Sequence, residues 1–435
     1  MNPVSKPGIR LIAIVLIAVC RTIIATAFWI ATRLSFHVEI HGLEHDRGLP
    51  STYFGIAHKR DLDPIVLIPS IMFHRGWRGL SGDVHFALRG DGFSPGYLAR
   101  IVIEPRWISR FLRLISLGSV LRWLGTHPAE SLIRPTEEWI RELLHVNGDV
   151  RAGDVLAPMI LYELAEITAE SYQQIAAHHL SHILSWRYHA VLQHFYGSEI
   201  LLSPVRRPIE RRLVTRIKRQ LDDLSAWLQA GGSLLGSPEG QLSPDGQLKP
   251  INSALHRIIR VAPADARVIP IYLTYDYMTT RRRISIFVDI APAIEHVPAL
   301  ATEDFDAQLR SAWLRSARFT CTQLASGFLM EASHTPIRSF TLDELVNIIH
   351  RQAVTLSESG RHVDRRLLHP RQARKLAAGF LAYAERHALV LRTGPDTWTP
   401  STKEVTIKVR PMEAAYDQAP LLYSWNELQE LLSYP

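Results

Sequence analysis

The sequence predicts an α/β fold: a sheet flanked by helices, with an N-terminal membrane helix, a helical insertion and a small C-terminal α+β region. Three observations predict it. Short β-branched and aromatic runs alternate with helical patterns over residues 36–290, as parallel sheets require. One long stretch, Leu11 to Ala31, apolar except for Arg21 and two threonines, precedes them. The pattern turns almost wholly helical from about His127 to Tyr196, and a new region begins near Ser333. The expected divisions are therefore residues 1–35, residues 36–332 with an insertion at about 127–196, and residues 333–435.

The apolar stretch comes first. About 21 helical residues span about 31 Å, close to one hydrocarbon thickness. Lys6 and Arg10 precede it, Arg33 follows, and Phe28 and Trp29 suit an interfacial belt. Arg21 falls near its middle, which is expensive for a spanning helix. A helix lying at the interface, tilted, or dipping into one leaflet suits that arginine better. A secretory signal, with Ala25-Thr26-Ala27 as its cleavage site, is opposed by Arg21 and by the apolar residues that continue past it. A buried core helix is the remaining alternative.

Phe36 to Ile40 alternates as a strand, and Thr52 to Ala57 reads as a buried strand that runs directly into His58. Pro64 to Met72 reads as a helix, Phe86 to Leu88 as a short strand, Gly90 to Gly96 as a loop and Phe111 to Leu124 as an amphipathic helix. Within the insertion, Pro135 to Leu144 and Met159 to Tyr196 are helical in pattern. Ile209 to Gln229 is a basic amphipathic helix ended by Gly231-Gly232. Ser233 to Gly236, Val268 to Thr274 and Arg283 to Val288 are further strands. Leu342 to Leu356 and Pro370 to Ala388 are helices, followed by a hairpin at Val390 to Trp398 that turns at Gly394-Pro395-Asp396. That ending fits either a small winged-helix-like domain or a helical cap.

Hydrophobic residues make up 47% of the 435-residue chain, which excludes a disordered chain, and a net charge of +7 favours anionic partners. The two cysteines, Cys20 and Cys321, exclude a disulfide framework and any cysteine-based zinc spacing. No metal is expected. Nucleic acid is not an expected partner, because no recognised module accompanies the basic residues.

Two short segments carry candidate chemistry. In His58-Lys59-Arg60-Asp61-Leu62-Asp63-Pro64, a histidine ends a buried strand and a carboxylate follows five positions later. On a continuous helix those two would point about 140° apart, but a loop-to-helix turn can join them. The imidazole could then take a proton from a hydroxyl while the carboxylate holds its tautomer. The plainer reading makes Asp63 and Pro64 the N-cap and first residue of a helix. In Gly236-Ser237-Pro238-Glu239-Gly240, a carboxylate sits on a turn after a strand, where open α/β sheets place ligands. Glu239 could orient a hydroxyl and the Gly240 amide could meet an oxyanion or phosphate. The plainer reading is an ordinary turn.

Taken together and in this order, these segments resemble the glycerolipid acyltransferase family of the 1-acylglycerol-3-phosphate acyltransferase type. His58 and Asp63 match its His-x4-Asp (HX4D) motif, Pro238-Glu239-Gly240 its Pro-Glu-Gly motif, and Val268-Ile269-Pro270-Ile271 its apolar strand with proline. Glu39 to Glu44 and Asp245 to Pro250 resemble the flanks, so the likeness covers about residues 36–290. The resemblance implies a membrane-associated O-acyltransferase of phospholipid biosynthesis. It implies a His58/Asp63 base dyad, a lysophosphatidic acid or related acceptor, and acyl-CoA or acyl-carrier protein as donor, without a cofactor. Membrane lipids would be its surroundings, with the site on the cytoplasmic face.

Two departures stand out. Gln241 and Leu242 replace the family's Thr-Arg, which removes an arginine that meets acceptor phosphate. The arginine-bearing second motif is matched best by Gly197 to Arg207, making Arg206 or Arg207 the candidate phosphate clamp. The alternatives are a non-phosphorylated acceptor such as an amino-acid lipid or glycolipid, a non-catalytic lipid-binding scaffold, and a hydrolase using water. Basic clusters at Arg211, Arg212, Arg216, Lys218, Arg219 and at Arg281 to Arg283 suit anionic lipid or acyl-CoA phosphates, or simply a solvated face.

Overall fold

The structure is a computed structural model. It describes residues 7–434 apart from 61, 90–117, 124, 241, 244, 280–282, 334–338 and 402–418. The expected loop at Gly90 to Gly96, most of the helix expected at Phe111 to Leu124, and Arg281 and Arg282 lie outside the described residues.

Helix α1 (Pro7–Ser35) leads into edge strand β1 (Phe36–His41). β2 (Thr52–Ala57), α2 (Asp63–His74), α3 (Gly76–Ser81), β3 (Val84–Arg89), α4 (Gly118–Trp123) and β4 (Thr126–Ala129) follow. The strand pair β5 (Arg134–Pro135) and β6 (Phe195–Tyr196) brackets five helices. These are α5 (Thr136–Asn147), α6 (Pro158–Thr168), α7 (Tyr172–Ala177), α8 (Leu180–Ile183) and α9 (His189–Leu192). The long α10 (Ser203–Gln229) returns the chain to β7 (Ser233–Gly236), α11 (Ser253–Arg260), β8 (Arg267–Asp276) and β9 (Ile284–Ile290).

These strands make a seven-stranded sheet in the order β1-β9-β8-β2-β7-β3-β4. β8, β2, β7, β3 and β4 run parallel; β9 and β1 run the other way. The central strands read as near-continuous apolar runs because both faces are covered. One face packs α1, α2 and α3 around Phe54, Ile56, Leu67 and Ile271. The other packs Tyr53, Val268 and Tyr272 against α11 and α12 (Thr302–Ser316).

The C-terminal part holds α13 (Cys321–Ser333), β10 (Phe340–Thr341), α14 (Leu342–Glu358), α15 (Pro370–Arg386), β11 (Val390–Gly394), β12 (Thr397–Pro400) and α16 (Pro420–Ser433). The hairpin forms where its turn residues placed it, and β10 joins it in a three-stranded antiparallel sheet. The expected division at residue 333 does not separate two cores. Ile349, Phe380 and Trp398 share one continuous core with Val268 and Tyr272.

The insertion does own a core, around Trp139, Leu161, Tyr188 and Ile209. It begins later than expected, since His127 already pairs with Ala87 in the main sheet. Its core ends later too, at Leu213 inside α10. Met159 to Tyr196 is several short helices, not a continuous run. α10 starts at Ser203, earlier than the expected Ile209, and takes in Pro208. That proline sits in the helix at the cost of one backbone hydrogen bond.

His85 and His127 share a hydrogen bond of 2.7 Å, and the His85 ring stacks on Trp227 at 3.7 Å. Burial, then His127 and Arg21, push the His85 imidazole down to about 3. Its ordinary unfolded value is about 6.5. The unfolded chain therefore binds the extra proton between those values, and stability falls as pH drops from about 6.5 towards about 3. Melting temperatures measured across that range should decline less steeply for His85→Gln than for the unaltered chain.

Candidate active site

β2 ends at Ala57 in the middle of the sheet, so His58 emerges at the carboxyl edge of the parallel strands. The chain then turns through Lys59 and Arg60 before α2 begins at Asp63. This turn brings His58 Nδ1 to 2.9 Å from Asp63 Oδ2. The same oxygen accepts the amides of Lys59, at 2.7 Å, and Arg60, at 3.0 Å. The Tyr275 hydroxyl donates to Asp63 Oδ1. Asp63 is fully buried, at the positive end of the α2 dipole. The His58 side chain keeps 18% of its surface exposed.

The plainer reading of Asp63 as a helix cap fails on geometry. The N-cap is Leu62, no side chain caps α2, and the Asp63 carboxylate turns back into the loop. A carboxylate on Nδ1 fixes the proton there and leaves Nε2 as the basic nitrogen. Such a pair can draw a proton from a hydroxyl brought to the exposed side of the ring.

Glu239 reaches the same loop from the turn after β7, which pairs with β2. Its Oε2 accepts the His58 amide at 3.0 Å and its Oε1 the Lys249 amide at 2.6 Å. Burial raises its pKa; the Lys59 charge and the two amides oppose that rise. Glu239 therefore braces the main chain beneath His58, and the expectation that it orients a substrate hydroxyl gives way to that role. The Gly240 amide donates to the Ser237 carbonyl at 3.1 Å, closing a turn, so it is not aimed at an oxyanion. Gly240 itself is required, because φ is +70° and a Cβ would lie 2.8 Å from Asn252 Nδ2.

Arg206 and Arg207 do not join this group. Arg206 donates to the Leu201 and Glu199 carbonyls at 3.0 Å each, and Arg207 is exposed. The Gln220 side chain meets the amide of Glu130, just past the carboxyl end of β4. The 14 residues from there back to Arg206 carry α10 about 21 Å further along its axis.

Two cations the sequence reading passed over stand beside the dyad instead. Lys59 is buried, with Nζ 2.9 Å from the Gly246 carbonyl and 3.5 Å from Glu427 Oε1, over the Tyr272 ring. The Arg60 guanidinium lies 4.8 Å from the ring centre of Tyr275 and 4.6 Å from that of Tyr277. Their position next to His58 was the available signal.

Glu427 comes from α16, the last of the described elements. Besides Lys59 it accepts the Tyr272 hydroxyl at 3.1 Å. Asn426 donates to the Asp245 carbonyl, Glu430 accepts the Leu248 amide at 2.6 Å, and Tyr277 donates to the Pro420 carbonyl. A Cβ at Gly246 would lie 2.3 Å from the Tyr423 carbonyl, so α16 seats directly on the loop after Glu239. No spacing in the sequence joins residues 427 and 59.

Comparison with models of known protein families finds no match, and neither does comparison with curated protein sequences.

Removing one partner of a buried ion pair leaves an uncompensated charge, which costs about 3–5 kcal/mol. Glu427→Leu should therefore lower the unfolding free energy by that order in chemical denaturation. Lys59→Met in the same chain should recover most of the loss.

Proposed function

We propose that this protein is a membrane-associated O-acyltransferase that moves a fatty acyl group from a thioester donor to a hydroxyl of a glycerolipid-type acceptor. One observation carries the reading: the 2.9 Å contact between His58 Nδ1 and a buried Asp63 carboxylate that three further donors hold in place. The likeness of His58/Asp63, Pro238-Glu239-Gly240 and Val268 to Ile271 to the acyltransferase motifs, in that order along an α/β sheet, supports the same reaction.

In this reaction His58 Nε2 takes the acceptor's hydroxyl proton as the oxygen attacks the thioester carbonyl. The C–O bond forms and a tetrahedral intermediate carries the negative charge. Its collapse breaks the C–S bond, and the departing thiolate takes the proton back from His58. Asp63 holds the tautomer and balances the imidazolium charge. Glu239 keeps His58 in register through its main chain.

With Arg206 turned to carbonyls and Leu242 in place of arginine, the cation that meets an anionic head group in this reading is Arg60, which lies over the rings of Tyr275 and Tyr277. The same two facts favour a second reading for the acceptor alone, a non-phosphorylated hydroxyl lipid.

The test is acyl transfer on membranes containing the protein, with labelled acyl-CoA or acyl-carrier protein and a panel of acceptors that includes lysophosphatidic acid. His58→Ala should lose about 10²–10⁴-fold in rate, the usual worth of a general base, while its melting temperature stays close to normal. Undiminished transfer by that variant would sink the mechanism. Arg60→Ala should raise KM for a phosphorylated acceptor and leave KM for the acyl donor unchanged.

A further inference from the structure

The apolar helix has two unlike faces. Ala18, Arg21, Ala25 and Thr32 are buried against the domain, at helical spacing. Ile14, Val15, Leu16, Val19, Ile23, Trp29, Ile30 and Leu34 are exposed. Only 17% of the most apolar 18-residue window within Ile14–Ser35 is buried, whereas the core helix of a soluble protein is mostly buried.

Arg21 decides how such a helix can meet a membrane. Its guanidinium does not reach outwards. It lies over two glycines on the domain side: a Cβ at Gly125 would come within 2.5 Å of its Nη2, and one at Gly82 within 3.1 Å of its Nη1. Both glycines have positive φ, and Asp83 beside them supplies the opposite charge. Ala25 packs into the same core as Val66, Leu67 and Phe86. At the far end, Arg33 Nη1 donates to the Val38 carbonyl at 2.5 Å.

The face from Ala18 to Thr32 therefore lies flat on the protein for 14 residues, about 21 Å. Those residues cannot be ringed by lipid unless α2, α3 and the sheet enter the hydrocarbon with them, where polar loops and charged side chains are not tolerated. Among the described side chains before Ala18, Ile14 to Ile17 stand clear of that seat, about 6 Å of helix, against a hydrocarbon core of roughly 30 Å. The two helices packed against α1 add apolar surface of their own: Phe73 on α2 is 37% exposed and Trp77 on α3 is 57% exposed.

We propose that α1 does not cross the bilayer: it lies in one leaflet with its outer face in lipid, and Trp77 of α3 enters the same leaflet as a second point of contact. The occupant of this surface is a phospholipid bilayer, argued from the hydropathy of the span, its low burial and the arginine turned inward. A core helix would hide the apolar face, and a spanning helix would leave Arg21 without its glycine seat. The inference rests on the reading that the chain is membrane-bound and is independent of acyl transfer.

The test uses the full chain in sealed membrane vesicles, with Cys20→Ser and a reporter Ser5→Cys. A membrane-impermeant maleimide should reach Ser5→Cys from the face that carries the C-terminus, or from neither face if that end is submerged. Labelling from the opposite face would overturn the proposal. In a second measurement, bimane on Trp77→Cys should be quenched by phospholipid bearing a nitroxide near its head group; no quenching would remove α3 from the contact. Arg21→Leu separates the two geometries again. It should lower the melting temperature by several degrees while leaving carbonate-resistant membrane retention unchanged. Stronger retention with an unchanged melting temperature is the signature of a spanning helix. Loss of acyl transfer alone, with these results intact, would count against the catalytic reading only.

Discussion

The site hangs on one buried carboxylate. Asp63 has no exposed surface, so its charge must be met from within. The amides of Lys59 and Arg60, the His58 ring and the Tyr275 hydroxyl meet it, and the α2 N-terminus adds its dipole. Satisfying that carboxylate fixes the turn between β2 and α2, and the turn fixes the imidazole. The geometry of the His58–Asp63 pair is thus a consequence of a folding requirement, and both fail together if the carboxylate is lost.

A second buried charge extends the constraint across the chain. Lys59 meets Glu427, from α16, at 3.5 Å, and its charge acts on Glu239, from the turn after β7. Burial raises the pKa of Glu239, the Lys59 charge and two amides oppose that rise, and Glu427 meets the same lysine. The loop bearing His58, the loop bearing Gly246 and the C-terminal helix are therefore one electrostatic unit. This gives residues 420–433 a structural task at the site: α16 closes the protein side of both loops.

α1 shows the same economy on the other face of the sheet. An arginine in the middle of an apolar helix is costly in lipid and costly in a protein core. Here it rests on backbone exposed by two glycines beside an aspartate, while apolar side chains face outwards. The residue that looks like a fault in a spanning segment is the one that seats the helix.

Sequence by itself determined the α/β class, the strands β1, β2, β7, β8 and β9, and the hairpin at Gly394-Pro395-Asp396, and it placed His58 and Asp63 close enough for one turn to join them, a contact the structure then made. These rest on local signals: period-two apolar runs, turn residues at fixed offsets, and two groups only five positions apart. The reading began this helix at Ile209 and the structure begins it at Ser203, because the packing of Ile209 and Leu213 outweighs what Pro208 costs the helix. Arg206 misled it because a motif match fixes order along the chain and not distance across 21 Å or so of helix. Only the tertiary structure decided that Glu239 braces a main chain, that Glu427 meets Lys59, that the C-terminal residues share the main core, and that Arg21 faces inward. Each of those is a contact between residues far apart in sequence, or a choice of helix face, and the order of residues along a chain carries neither until the sheet is assembled.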